Sequence, residues 1–203
     1  MKPRAYRPPR RSTRRDATRR KIMKAVHDLL AEGAFHEATV EEVADRAGVS
    51  RATVYLHFRS RFDLIDAICD TFADNDALLG AKASIDLPDL DQALAATLEN
   101  SVRFWASEDA VLAELYGVVA VDPAAQSFVD RQRADRRREL KRLAHRLHAE
   151  KRLRRGVGER QALAQLMVLT GYETYRELRR EGLGEREVVA ALQESAGALL
   201  RSP

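Results

Sequence analysis

The sequence predicts an all-α fold. Three observations carry that expectation: apolar residues recur at helical spacing through most of the chain, no sustained alternating strand pattern occurs, and aromatics are only 6% of the 203 residues. Hydrophobic content of 45% with 33% charged residues suits a soluble globular protein. The length allows one large domain or two small ones. No apolar run is long enough for a membrane span and nothing resembles a secretory signal, so a cytoplasmic chain with no membrane partner is expected. Cys69 is the sole cysteine, which excludes an internal disulfide. It lies at helical spacing from Ile65, Ile68 and Phe72 and reads as core filling rather than as a redox sensor.

Residues 1–21 differ from everything after them. Ten are Lys or Arg and one is acidic, a net +9, whereas the whole chain carries +4; residues 22–203 therefore carry −5. Self-repelling charge together with Pro3, Pro8 and Pro9 predicts a disordered basic arm over residues 1–15. Asp16 or Thr18 opens the first helix, which runs to about Glu32 with Ile22, Val26, Leu29 and Leu30 as its core stripe. Gly33 stands where a helix C′ residue belongs, and Phe35 has the size to plug the core that follows.

The stretch Thr39 to Ile65 reads as two short helices and a third behind them. Thr39 caps the first, with Glu42 at the capping-box spacing and Val40, Val43, Ala44 and Ala47 at helical period. Gly48 follows the last apolar position, where a left-handed residue ends a helix at little steric cost. Ser50 caps the second helix, Arg51 to Phe58; Ser60 caps the third, with Asp63 at N3. A helix, a short glycine turn and a second helix make the helix-turn-helix unit, whose second helix enters the DNA major groove.

This stretch resembles the DNA-binding domain of the TetR family of bacterial transcription regulators. The features that match are Thr-Val at the first helix start, Ala-Gly-Val-Ser at the turn, Thr-Val-Tyr in the second helix and Phe-Arg-Ser-Arg before the third. The family favours Gly where this chain has Ala52 and Lys-acidic where it has Arg61-Phe62. The resemblance is specific over roughly residues 17–72, and sets the expected domains as 16–74 for DNA binding and 75–203 for a helical effector-binding and dimerisation domain.

Each exposed position of the second helix has a chemical reason to be there. Arg51 stands at its N-terminal end, where its fork can hold guanine O6 and N7. Ala52 admits close approach and can touch a thymine methyl. Thr53, Tyr55 and His57 carry groups that bond phosphate or bases, while Val54 and Phe58, one turn apart, face the core. The resemblance implies phosphate contacts at Tyr55 and Arg61, and Thr39 offers its hydroxyl and a helix N-terminus to another phosphate. Ahead of such a domain, the arginine-rich arm reads as a DNA arm that pairs phosphates or lies in the minor groove, against the alternative of a solubilising tail.

Beyond Phe72, the stretch Asn75 to Pro88 is expected to be a junction, with Gly80 and Pro88 as breakers. A helix from Leu90 to about Ser107 carries Leu90, Leu94, Leu98, Val102 and Trp105. Another covers Ala110 to Val119. Asp122-Pro123 starts a long helix, reaching about Leu153, with Phe128, Leu140, Leu143 and Leu147 as its apolar face. Its basic segment Arg131 to Arg142 reads as a solvated face. Residues 162–172 are apolar on almost every side, predicting a helix buried on two faces. Glu185 to Leu200 forms the last helix, with Val188, Leu192, Ser195 and Leu199 in one row. By resemblance, the last two long helices build a four-helix bundle with a twin subunit, and the same domain holds a small-molecule pocket. Its candidate lining is Phe104, Trp105, Leu112, Tyr116, Met167, Thr170, Tyr172 and Tyr175.

Together these features predict a homodimer bound to a palindromic double-stranded operator, most simply a repressor released by a small-molecule effector; the alternative is a DNA-binding regulator without a ligand, controlled by protein contact. An enzyme is not expected. His27, His36, His57, His145 and His148 form no metal-ligand cluster, and the chain has neither a Gly-rich phosphate loop nor a nucleophile elbow, so no cofactor or metal is anticipated.

Overall fold

The structure is a computed structural model that describes residues 10–121 and 126–200. It is all-α: among the described residues there are eleven α-helices and one short 3-10 turn. They form two compact units, one of Met1–Asp70 with Ala110–Ala125 and the other of Thr71–Asp109 with Gln126–Pro203.

In the first unit, α1 (Arg10–Ala31) buries Ile22, Val26, Leu29 and Leu30 completely. It starts earlier than Asp16. Arginine is a good helix former, so a helix anchored by this stripe extends through Arg10–Arg15 at little cost; residues 1–9 of the expected arm lie outside the described residues. Gly33 (φ +68°) ends the helix in the left-handed region. Phe35 then fills the space beneath α2 (Val40–Ala47) and α3 (Arg51–His57), only 1% exposed. α4 (Arg61–Thr71) adds Leu64, Ile65, Ala67, Ile68 and the buried Cys69. From α7 (Asp109–Val121), Val111, Leu112 and Leu115 are also buried.

In the second unit, most of the expected junction Asn75 to Pro88 is helix. Asn75 caps α5 (Asp76–Ser84), accepting from the backbone N–H groups of Ala77 and Leu78. Gly80 does not break this helix; it lets α5 approach α6 (Leu90–Ser107), because a Cβ there would lie 2.8 Å from Asn100 Oδ1. The α6 row Leu90, Leu94, Leu98 and Val102 is buried as its spacing demands. α8 (Gln126–Ala149) packs Leu140, Leu143, Ala144 and Leu147 inward and stops short of Leu153, where Lys151 turns left-handed. Asp122, Pro123 and the side chain of Phe128 lie outside the described residues. Most of the basic segment is exposed, as a solvated face should be.

The apolar segment 162–172 is not one helix: it spans the end of α9 (Glu159–Leu169) and the start of α10 (Tyr172–Arg180). Thr170 bonds back through its hydroxyl to Leu166 O at 2.8 Å, and the freed Thr170 carbonyl accepts from Trp105 Nε1 (3.1 Å) and Arg136 Nη1 (2.7 Å). α9 is buried on one face only: Ala162, Leu163, Leu166 and Leu169 point inward while Val168 is 63% exposed. In α11 (Glu185–Leu200), Val188, Leu192 and Ala196 are buried against α6 and α9 of the same chain. Of the row read from the sequence, Val188 and Leu192 are therefore intrachain core and Ser195 is half-buried. The side chain of Leu199 lies outside the described residues.

Candidate nucleic-acid interface

Local chemistry sets the position of the reading helix. Thr39 Oγ1 accepts from the Glu42 N–H (3.2 Å) and Ser50 Oγ from the Thr53 N–H (3.1 Å), so each helix start is capped by the residue expected. Between them Gly48 (φ +64°, ψ 41°) makes the turn, its N–H donating back to Ala44 and Asp45 carbonyls. At the third cap, Asp63 N–H donates to Ser60 Oγ, and the Asp63 carboxylate accepts from Ser60 Oγ (3.0 Å) and the Arg59 N–H (2.7 Å), which holds it below the usual carboxylate range.

Burial of Val54 (1% exposed) and Phe58 (2%) rolls α3 so that Arg51, Ala52, Tyr55 and Leu56 face outward. Thr53 and His57 are half-buried, and Thr53 Oγ1 lies 2.8 Å from Ser50 Oγ. Arg51 is engaged: Nη1 meets Glu41 Oε1 at 2.5 Å, Nη2 lies 3.5 Å from Tyr55 Oη, and its guanidinium carbon is 5.5 Å from the Tyr55 ring centre. Leu56, 72% exposed, was not singled out from the sequence, although it sits off the Val54–Phe58 row that was. The Glu41–Arg51 pair has no sequence signal, since it joins two helices.

Arg15 and Arg19 of α1 lie near the C-terminal end of α3. Arg19 stacks on the Phe58 ring at 4.6 Å. Burial lowers the pKa of His57, and the nearby Arg15 and Arg19 charges lower it further, so its imidazole is neutral near pH 7. Two cations of α1 thus lie beside the C-terminal end of the reading helix. Arg61 departs from the expected geometry. Its guanidinium turns inward, donates to the carbonyls of Ala38 (2.9 Å) and Phe35, and lies 4.2 Å over the Phe35 ring.

In the second unit, five of the candidate pocket residues do come together. Phe104, Trp105, Tyr172 and Tyr175 form a run of ring contacts with centres 4.7 Å, 5.5 Å and 6.2 Å apart, and Thr170 O holds the Trp105 indole. Tyr172 Oη donates to Asp109 Oδ1 (2.8 Å), and Asp109 also pairs with Arg176. Burial and this carboxylate raise the phenol pKa, so Tyr172 stays protonated. Phe104, Thr170, Tyr172 and Tyr175 are buried, and Met167 is half-buried on α9. Leu112 and Tyr116 belong to the other unit. A separate cleft of about 440 Å³ is lined by Asn75, Asp76, Ala77, Arg103, Ala106, Ser107 and Glu185, none of them among the eight candidates. Among the described residues no group of three or more His, Cys, Asp or Glu is placed to hold a metal, and no helix is long and apolar enough to cross a membrane.

Comparison with known proteins agrees with this geometry. The profile of bacterial regulatory proteins of the tetR family matches residues 22–68, which run from the core stripe of α1 through most of α4. The HTH-type transcriptional activator FasR of Mycolicibacterium smegmatis is 33% identical over 96 residues, 47% of this chain and 39% of that protein. The HTH-type transcriptional repressor BepR of Brucella suis is 32% identical over 88 residues, 40% of this chain and 42% of that protein. The chain thus spans about two fifths of the length of these curated relatives. The fold extends further. A TetR-family regulator from Rhodococcus sp. superposes with a TM-score of 0.72 at 17% identity, covering 91% of this chain and 99% of that one. The fatty acid degradation regulator FadR from Bacillus halodurans gives 0.69 at 15% identity, over 86% and 91%. Residues 22–68 thus carry the DNA-binding domain of the bacterial regulatory proteins of the tetR family, and the whole described chain shares the all-helical fold of these solved regulators.

Proposed function

We propose that the chain is a sequence-specific DNA-binding transcriptional regulator that acts as a homodimer, a repressor released from a palindromic operator by a largely apolar small molecule. The observation that carries the reading is the roll of α3: Val54 and Phe58 bury one side, which leaves Arg51, Ala52, Tyr55 and Leu56 outward, with Arg15 and Arg19 of α1 near its C-terminal end. In this reading Arg51 and Ala52 meet base edges, while Thr39, Thr53, Tyr55 and His57 hold phosphates or base edges. Arg61 serves as an internal clasp. The exposed Val168 face of α9 supports dimerisation, which sets two reading helices roughly 34–36 Å apart, one DNA turn. Selection of bound sites from random duplex DNA with the full chain tests the reading; a palindromic consensus is expected, and recovery of no preferred sequence would overturn it.

One observation favours a second reading, in which protein contact and not a ligand controls DNA binding. The cluster of Phe104, Trp105, Thr170, Tyr172 and Tyr175 is closed on itself, with its indole and its Tyr172 phenol hydrogen-bonded within the chain. A ligand acts only through differential affinity for the bound and released states. Trp105 is the sole tryptophan, so its fluorescence reports entry into this cluster. A compound that shifts that signal and releases DNA supports the effector; a broad apolar library with neither effect supports protein control.

A further inference from the structure

We propose that Leu56 reads a thymine 5-methyl group in the major groove and so sets part of the sequence preference of this chain. The inference rests on the regulator reading above. Leu56 is 72% exposed, more than Val168 (63%), Leu79 (47%) or Tyr55 (44%). Single apolar side chains on a surface are ordinary and need no function. This one differs in its position.

The outward side of α3 carries two rows. In the first, Arg51 and Tyr55 lie one turn apart and are tied to each other, and Arg51 also pairs with Glu41. In the second, Ala52 and Leu56 lie one turn apart and are both exposed. The small Ala52 leaves room for close approach, and Leu56 supplies the apolar surface. Arg15 and Arg19 stand near His57 just beyond, and Arg51 flanks the other end. A protein partner docking through apolar contact needs several hundred Å² of surface, which one leucine framed by cations does not offer. A polyanion that presents one methyl group to the helix fits both the charge and the size. On the major-groove edges of the four base pairs the thymine methyl is the only such group.

The test replaces thymine by deoxyuridine, which pairs identically and lacks only the methyl. A preferred site is first selected from random duplex DNA with the full-length protein, and each thymine is then replaced singly, in equivalent positions of both half-sites. Wild-type protein is expected to lose roughly fourfold in affinity per methyl removed at one thymine position of each half-site. Leu56→Ala should bind the unmodified site more weakly and be indifferent to uracil there, whereas Leu56→Met should keep the sensitivity. Because Leu56 contributes little to the core, the thermal midpoints of both variants should match wild type, which separates lost reading from lost folding. Indifference of the wild type to uracil at every thymine would overturn the proposal. So would full uracil sensitivity in Leu56→Ala. If selection yields no preferred sequence, the regulator reading fails and this inference falls with it; a selected site insensitive to uracil removes this inference alone.

Discussion

Arg61 separates two physical roles that one residue type can play, and Arg61→Met tests which applies. In a phosphate-contact role its removal leaves folding alone and weakens DNA binding. In the observed geometry the guanidinium donates to Ala38 O and Phe35 O and covers the Phe35 ring, between the start of α4 and the connector that leads into α2. Hydrogen bonds made by a charged group contribute about 1.5–3 kcal/mol each, and a cation over an aromatic face about 0.5–2 kcal/mol. Arg61 is only part-buried, so solvent screens these terms, and methionine restores most of the stem packing. The expected net loss is about 2–4 kcal/mol. With a urea dependence of about 1–3 kcal/mol per molar, the midpoint followed by far-UV circular dichroism should fall by roughly 1–2 M at unchanged slope. The same variant, folded in low denaturant, should keep the wild-type dependence of DNA affinity on salt. A phosphate contact would instead lower that log–log slope by about 0.9 per subunit. An unchanged urea midpoint together with that smaller salt slope would refute the clasp.

Four further outcomes are expected. Deleting residues 1–14 should flatten the salt slope by roughly three per subunit if three or four of their cations engage, with preference altered at most at flanking A·T pairs; identical slopes would leave the stretch as a solubilising tail. Arg51→Ala should lose roughly ten- to a hundredfold on the selected site and little on random DNA, and equal losses on both would assign Arg51 to phosphate. The Glu114 carboxylate accepts from the His36 backbone N–H (3.0 Å), lies 2.9 Å from Nδ1, and raises the imidazole pKa above 6.5. The stabilisation is therefore complete below pH 6.5 and lost as pH rises through the raised value, so the melting-point advantage of wild type over His36→Gln should shrink from pH 6 to pH 8.5; an advantage that grew would contradict it. Light scattering at micromolar concentration should give the mass of two chains for wild type and of one for Val168→Glu, and a wild-type monomer would end the dimer proposal.

What the sequence made legible follows from the range over which each signal acts. Caps and turns act within four residues, and Thr39, Ser50, Ser60 and Gly48 all do what their types suggest. Helical period also acts locally, so the Ile22–Leu30 and Leu90–Val102 stripes and the spans Leu90–Ser107 and Glu185–Leu200 were readable in advance. Gly80 was not, because a glycine as helix breaker and a glycine as close contact look alike until Asn100, twenty residues on, is placed against it. The break at Thr170–Gly171 is hidden in the same way. Apolar and aromatic residues run on at helical spacing through Leu166, Leu169, Tyr172 and Tyr175, and what satisfies the freed carbonyl is an indole and a guanidinium from elsewhere in the chain.

The interface shows the same limit more sharply. Arg51 and Arg61 are ten residues apart in one motif, and nothing in their type separates them. Their fates follow from the backbone acceptors within their reach. The connector between α1 and α2 leaves carbonyls at Phe35 and Ala38 outside any helix, and a guanidinium within reach satisfies them better than water can in a part-buried site. Around Arg51 the backbone is satisfied already by the Ser50 cap and the helix ladder, so its side chain finds only exposed groups, Glu41 and Tyr55, which DNA can displace. A buried carbonyl is an obligation of the fold, and an exposed carboxylate is a competitor for the ligand. In the proposed reading Arg61 therefore serves the scaffold and Arg51 the reading surface: Arg61→Met should lower the urea midpoint, whereas Arg51→Ala should leave that midpoint unchanged and lose affinity on the selected site alone.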